Sequence, residues 1–172
     1  QSPDVSQRSG VSVRATISNY ETVLANALRR ALRLGEAAVV PRISDLPFLL
    51  ASLQGKIEFE TFEDDQEAQV MNSLISQAVA KAFRRRFDVD MLEHIVYGFG
   101  DDTEVEVGED IPAERYETIF EQVPGLRQAV EPLALQKSAG ERAAVLELLL
   151  EGLHQNRLLN RDVVDGHVTY RG

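Results

Sequence analysis

The residues able to do chemistry are few and far apart. His94, His154 and His167 are the histidines of a 172-residue chain that has no cysteine. None forms an H-E-x-x-H or similar ligand pair of the kind that holds zinc. His94 beside Glu93 offers a general base, but adjacent positions on a helix point about 100° apart, so a structural histidine is the expected reading. The segment with Asp101, Asp102, Glu104, Glu106, Glu109 and Asp110 gathers carboxylates that suit a hard cation. It lacks the fixed glycine and bidentate glutamate of a calcium loop, so a solvated loop without a specific metal is expected. Neither G-x-x-x-x-G-K-[ST] nor G-x-G-x-x-G occurs, so no ring of backbone N–H groups waits for a triphosphate or dinucleotide. G-F-G at 98–100 lacks the third glycine. Absence of cysteine removes disulfides, thiolate zinc and thiol nucleophiles together, and fits a cytoplasmic setting.

Charge narrows the partners. The formal net charge is −10, and such a surface repels phosphate backbones, so nucleic acid is not an expected partner; no membrane is expected as a partner either. The distribution is uneven. Arginines cluster at Arg29, Arg30 and Arg33 and at Arg84, Arg85 and Arg86, whereas residues 101–117 hold eight acids against one base. Opposite clusters suit contacts between subunits or domains; the other reading is solvated helix ends. No stretch is long and apolar enough for a membrane helix, and Gln1 opens neither a signal peptide nor an initiator position. A piece of something longer, or a processed chain, is the simplest account.

Helices must position these groups. Residues 1–16 hold turn formers and few large apolar side chains, and read as an extended arm. Ser18 and Glu21 form an S-x-x-E capping box. Ile17, Tyr20, Leu24, Ala27, Leu28 and Ala31 share one helical face, and Gly35 supplies the stop. A shorter helix follows Pro41, capped by Ser44 or Asp45, with Leu46, Leu49, Leu50 and Leu53 as its stripe and Gly55 as its end. Residues 56–62 alternate like a strand in helical surroundings, and both readings stay open. A long helix is expected at 65–87, with Val70, Met71, Leu74, Ala78, Ala82 and Phe83 inward, and another at about 90–97. A short strand is signalled at TEVEV, 103–107. Pro112 suits the first turn of a helix carrying Tyr116, Ile119 and Phe120. Pro124-Gly125 and Pro132 break the next stretch. Ser138 and Glu141 form a second capping box, opening a helix with Val145, Leu148, Leu149 and Leu153. Asp165-Gly166 between β-formers signals a C-terminal hairpin. The expected fold is mainly α: six or seven helices in a bundle, with a small β-hairpin.

The run QRSGVSVR at 7–14, the amphipathic helix ISNYETVLANALRRAL and then VPRISDL, GKIEFE and the 65–87 helix resemble the region after the ATPase core in magnesium-chelatase-like and MoxR-like AAA+ proteins. The resemblance covers most of the chain up to about residue 100. It implies a sensor-2 arm and lid-like helices at 1–60 and a family-specific helical region at 61–172. In that family a G-x-S-x-R element opens the lid helix, and its arginine approaches the γ-phosphate; here the element is Gly10, Ser12 and Arg14. A guanidinium offers fixed donors and a permanent charge that suit a terminal phosphate. Gly10 permits a tight turn and Ser12 can satisfy N–H groups near the helix start. The resemblance implies ATP and Mg²⁺ in the parent protein, none bound to this piece alone, and no catalytic residue within it. It implies as partners the AAA+ core of the same chain, neighbouring subunits of a ring and a protein with a von Willebrand factor A domain. Two other readings compete: an acidic helical adaptor that never meets nucleotide, and a transcriptional regulator reading DNA through Arg84–Arg86, which the net charge disfavours.

Overall fold

The computed structural model describes residues 13–53, 64–100, 103–164 and 167–172. It is mainly helical, as expected from the sequence, with a small three-stranded antiparallel sheet that includes the expected hairpin. Among the described residues the helices are α1 (Val13–Leu34), α2 (Leu49–Leu53), α3 (Asp64–Arg84), α4 (Glu93–Phe99), α5 (Tyr116–Gln122), α6 (Leu126–Val130) and α7 (Ala139–Gln155). Short 3-10 turns lead into α2, α4 and α5 and follow α6. No described helix is long and apolar enough to cross a membrane.

α7 is the axis of the fold. Ser138 caps it, its Oγ accepting from the Glu141 amide at 3.2 Å. The reciprocal half of the expected box is absent, because the Glu141 carboxylate accepts from the Gln136 amide at 2.6 Å instead. Leu146, Leu149, Leu150 and Leu153 are buried and meet Phe83 from α3, Ile95 and Phe99 from α4, Ile119 and Phe120 from α5, and Leu126 from α6. Each such side chain contributes roughly 1.5–3 kcal/mol by leaving water. Gly125, at φ 88°, starts α6 in the left-handed region, which a glycine adopts without the Cβ clash.

The strands are β1 (Glu104–Val107), β2 (Asn160–Val164) and β3 (His167–Arg171), in the order β1-β3-β2. β2 and β3 are the expected hairpin; its Asp165-Gly166 turn lies outside the described residues. β1 is the expected TEVEV strand, and it pairs antiparallel with β3, setting Val105 opposite Tyr170 and Val107 opposite Val168. This pairing spans more than 60 residues, so no local signal announced it. Val105, Val107 and Tyr170 face the core.

Several expectations about the first half change. α1 begins by Val13, so Ser18 lies inside the helix and does not cap it. Of the expected apolar face only Ala27 and Ala31 are buried, while Ile17, Tyr20 and Leu28 are exposed. The buried sector is rotated toward Arg30, since an ion-pair network in place of an apolar surface receives it. Gly35, at φ 70°, ends α1 as expected, with the Glu36 amide donating back to Ala31 O at 2.9 Å. After Pro41 the chain forms a 3-10 turn, Ile43–Phe48, before α2. Asp45 does not sit at its N-cap; its carboxylate reaches back to the Arg42 amide at 2.8 Å. Residues 56–62 lie outside the described residues. Pro112 precedes a 3-10 turn, Ala113–Arg115, that leads into α5.

Candidate functional site, a buried ionic joint at the base of the first helix

Gly10 and Ser12 lie outside the described residues. Arg14 is described through its backbone alone, in the first turn of α1. The built polar site in the described residues is at the opposite end of that helix. Arg30 is fully buried between two carboxylates: Nη1 donates to Glu36 Oε2 at 2.5 Å, and Nε and Nη2 donate to the two oxygens of Asp45 at 3.3 and 3.0 Å. Its Nη2 also donates to Val40 O at 2.7 Å. Burial alone would lower its proton affinity, but Asp45 by hydrogen bond and charge, with Glu36 and Glu147 behind it, raises it above the ordinary arginine value. The bidentate fork is the geometry in which arginine binds a carboxylate best.

Arg42 completes the circuit. It pairs with Glu36 Oε1, donates to Ile111 O at 2.9 Å, and lies over the Tyr116 ring with 5.0 Å from Cζ to the centroid. Glu36 Oε1 also accepts from the Ala113 amide at 2.9 Å. Two arginines therefore face two carboxylates, and the group is charge-balanced. Removing one member would leave an uncompensated buried charge, the costly case for interior ion pairs.

A fifth ionisable group reaches this circuit from α7. Glu147 is 1% exposed. Its Oε1 accepts from Tyr116 Oη at 2.5 Å and from Ser44 Oγ at 3.2 Å, and its Oε2 accepts from the Ser44 amide at 2.8 Å. Burial pushes this carboxyl above its ordinary value, against the pull of Tyr116, Arg42 and Ser44. Burial and the Glu147 charge push the Tyr116 phenol well up as well, so it remains an O–H donor.

On the surface Arg29 Nη2 meets Glu109 Oε2 at 2.7 Å and Arg33 Nη1 meets Asp110 Oδ1 at 2.7 Å. The basic and acidic clusters thus contact each other within this chain, one from α1 and one from the turn after β1. Arg84, Arg85 and Arg86 are exposed at the end of α3. Glu104 pairs with Arg171 at 2.9 Å, and Glu106 with His167 at 2.8 Å. Among the described residues no His, Asp or Glu cluster has a metal-holding arrangement. His94 is exposed and packs over Gly125, whereas His154 Nδ1 lies 3.1 Å from Leu159 O.

The sequence reading missed Glu36, Arg42, Glu147, Tyr116 and Ser44 as a polar group. One signal was present: Glu147 and Glu151 interrupt the otherwise apolar run VLELLLEGL at i, i+4, on a helix hydrophobic all round, where an acid must find donors. The apolar cluster around α7 begins at Phe83, and no described side chain of α1 or α2 belongs to it. The segment 13–48 meets 109–147 through these hydrogen bonds and ion pairs, and also through the Val40 side chain packed at Gly140. Beside this joint an open apolar groove of about 490 Å³ is lined by Ile43, Leu46, Leu74, Ile75, Val79 and Leu148, among others.

Comparison with protein-family models, with curated proteins and with solved structures found no match for this chain.

Proposed function

We propose that this chain is the lid and following helical region of a magnesium-chelatase-like or MoxR-like AAA+ ATPase. It contributes a nucleotide-sensing arginine and oligomer or client contacts to an ATP-driven remodelling motor. The observation that carries the reading is α1 itself. It is a 22-residue helix that has Arg14 in its first turn and a polar joint at its last. Ile17, Tyr20, Leu28 and Leu32 are 54%, 67%, 46% and 76% exposed, an apolar flank left for the ATPase core. Polar interfaces of this kind between units accompany relative motion more readily than apolar ones. In this account Arg14, placed by Gly10 and Ser12, reaches the terminal phosphate of an ATP–Mg²⁺ complex. The phosphate loop is supplied by the core, and α1 passes the nucleotide state to the joint. Ring neighbours and a von Willebrand factor A domain protein are the partners this class implies, in the cytoplasm.

The test is Arg14→Ala in the full-length protein. Hydrolysis or nucleotide affinity weakens while the circular dichroism spectrum and melting temperature hold; unchanged kinetics remove Arg14 from the mechanism. A coding sequence without a phosphate loop upstream removes the class.

The exposed flank of α1 and the neighbouring apolar groove also favour a second reading, an acidic helical adaptor that binds a protein partner without nucleotide. That reading predicts that partner binding survives Arg14→Ala and is indifferent to ATP.

A further inference from the structure

The apolar groove beside the joint is lined by Leu74, Ala78 and Ala82 from α3, Leu46 and Leu49 from the turn and α2, and Leu148 from α7. At about 490 Å³ it has the size of a binding site and not of a packing defect. Its rim is charged on one side. Lys81 and Arg85 follow Leu74 at i+7 and i+11, on the stripe of α3 that carries Ala78 and Ala82. Arg85 stands one residue past the end of α3, but the Phe87 amide still donates to Phe83 O at 2.9 Å, so the helical turn continues through it. Both side chains are exposed. Arg29, Arg33, Arg127, Arg142 and Arg171 each meet an acid. Lys81 and Arg85 have no ion pair among the described residues, in a chain whose net charge is −10. Glu151, in the adjoining recess, already accepts from Tyr170 and Gln155.

We propose that this groove takes an amphipathic helix of a partner protein, with the apolar face of that helix in the groove and its acidic flank on Lys81 and Arg85. The proposal gives a chemistry to the partner contacts of the proposed function, and it rests on that reading only for their use. The occupant must be helical because the groove offers side chains and almost no polar groups. Among the described residues Asn19 is the one polar member of its lining, and the α3 backbone is bonded within its own helix. An extended peptide would bury N–H and C=O groups without partners there, whereas a helix satisfies its own. From Leu74 to Arg85 the chain rises about 16 Å at 1.5 Å per residue, which matches about three turns of an occupant anchored at i, i+3, i+4 and i+7. The acidic flank follows from the two cations. Glutamates or aspartates on the partner would supply their missing counter-charges, and such rim pairs set orientation and partner choice more than raw affinity.

The probe is a fluorescein-labelled peptide of about three turns, with leucines at i, i+3, i+4 and i+7 and glutamates beside them. Its binding to the 172-residue chain, read by fluorescence anisotropy, should be at least about tenfold tighter than that of the same peptide carrying lysines for glutamates. The gap should narrow as salt is added. Ala78→Glu sets a charge on the exposed groove wall and should abolish binding of the glutamate peptide with the circular dichroism spectrum unchanged. Lys81→Glu together with Arg85→Glu alters only exposed side chains, and should reverse the preference between the two peptides. No binding of the glutamate peptide, equal binding of both peptides, or a preference that survives the double variant overturns the proposal. Dimerisation of the chain in analytical ultracentrifugation that Ala78→Glu disperses would assign the groove to a second copy, and would overturn it too. None of these outcomes bears on the Arg14 assay, and failure of that assay leaves the groove's preference standing.

Discussion

Between Phe83 and Tyr170 the buried side chains are almost all apolar, and Glu147 and Glu151 stand out as acids among leucines. Around the base of α1 the balance reverses: Arg30, Arg42 and Asp45 are buried beside Ala27 and Ala31. The first region gains stability from every side chain taken out of water, and a loss there is graded by the volume removed. The second gains little from burial and depends on complete pairing, so the loss of one partner exposes the whole cost of desolvation. Apolar packing is indifferent to pH and salt, whereas a paired polar joint can be opened by changing one charge.

Substitutions can break or sharpen that contrast. The largest effect is expected from Asp45→Ala, which strips Arg30 of its bidentate partner. Breaking one member of a buried pair costs about 3–5 kcal/mol, read as a fall in the denaturant midpoint. A loss under about 1 kcal/mol would mean the joint is wetter than its burial indicates. In the apolar region Leu149→Ala should cost about 2–5 kcal/mol through transfer and cavity together, with the loss equal at low and high salt. Gly152→Ala follows. A Cβ at that position would stand 2.0 Å from Phe83 Cδ2, and the buried ring has nowhere to go, so overpacking of about 1–3 kcal/mol is expected by thermal unfolding. Arg29→Ala removes an exposed pair with Glu109 and should cost about 0.2–1 kcal/mol, fading as salt is added.

The smallest effect tests pH. Arg142 and Arg127 lower the Glu117 carboxyl below its ordinary value, against a burial effect of opposite sign. A lowered folded value contributes stability that is present above the unfolded value of about 4.5 and is lost as pH falls through the folded one. Glu117→Gln should therefore lessen the loss of stability on acidification below about 4.5, in a pH series of melting temperatures. An identical acid limb in both proteins would show that this pair is fully screened.

Local signals were legible where local chemistry decides the outcome. Ser138 caps α7, Gly35 ends α1, Pro124-Gly125 separates α5 from α6, and the hairpin flanks Asp165-Gly166. Ser18 and Glu21 carry the capping pattern, yet α1 already runs through them, because a capping box is recognised only against a non-helical residue before it. The apolar face of α1 was read from periodicity as if water lay opposite. In the fold the ionic joint takes Arg30 inward and leaves Tyr20 and Leu28 outside. The joint itself was legible only in pieces: Arg30 in a helix, Asp45 near a helix start whose N-cap is Arg42 instead, Glu147 as an acid in a leucine run. What joins them is contact between residues up to about 100 positions apart, which no spacing rule encodes. The same holds for β1, whose alternation was visible but whose partner, β3, was not.

The most direct measurement of the whole account is hydrogen exchange in the full-length protein, with and without a non-hydrolysable ATP analogue. The account predicts that nucleotide changes protection along residues 17–34 of α1 and in the joint at 36–48, while the α7 amides around Leu149 keep theirs. Identical exchange at α1 and the joint in both states would contradict it.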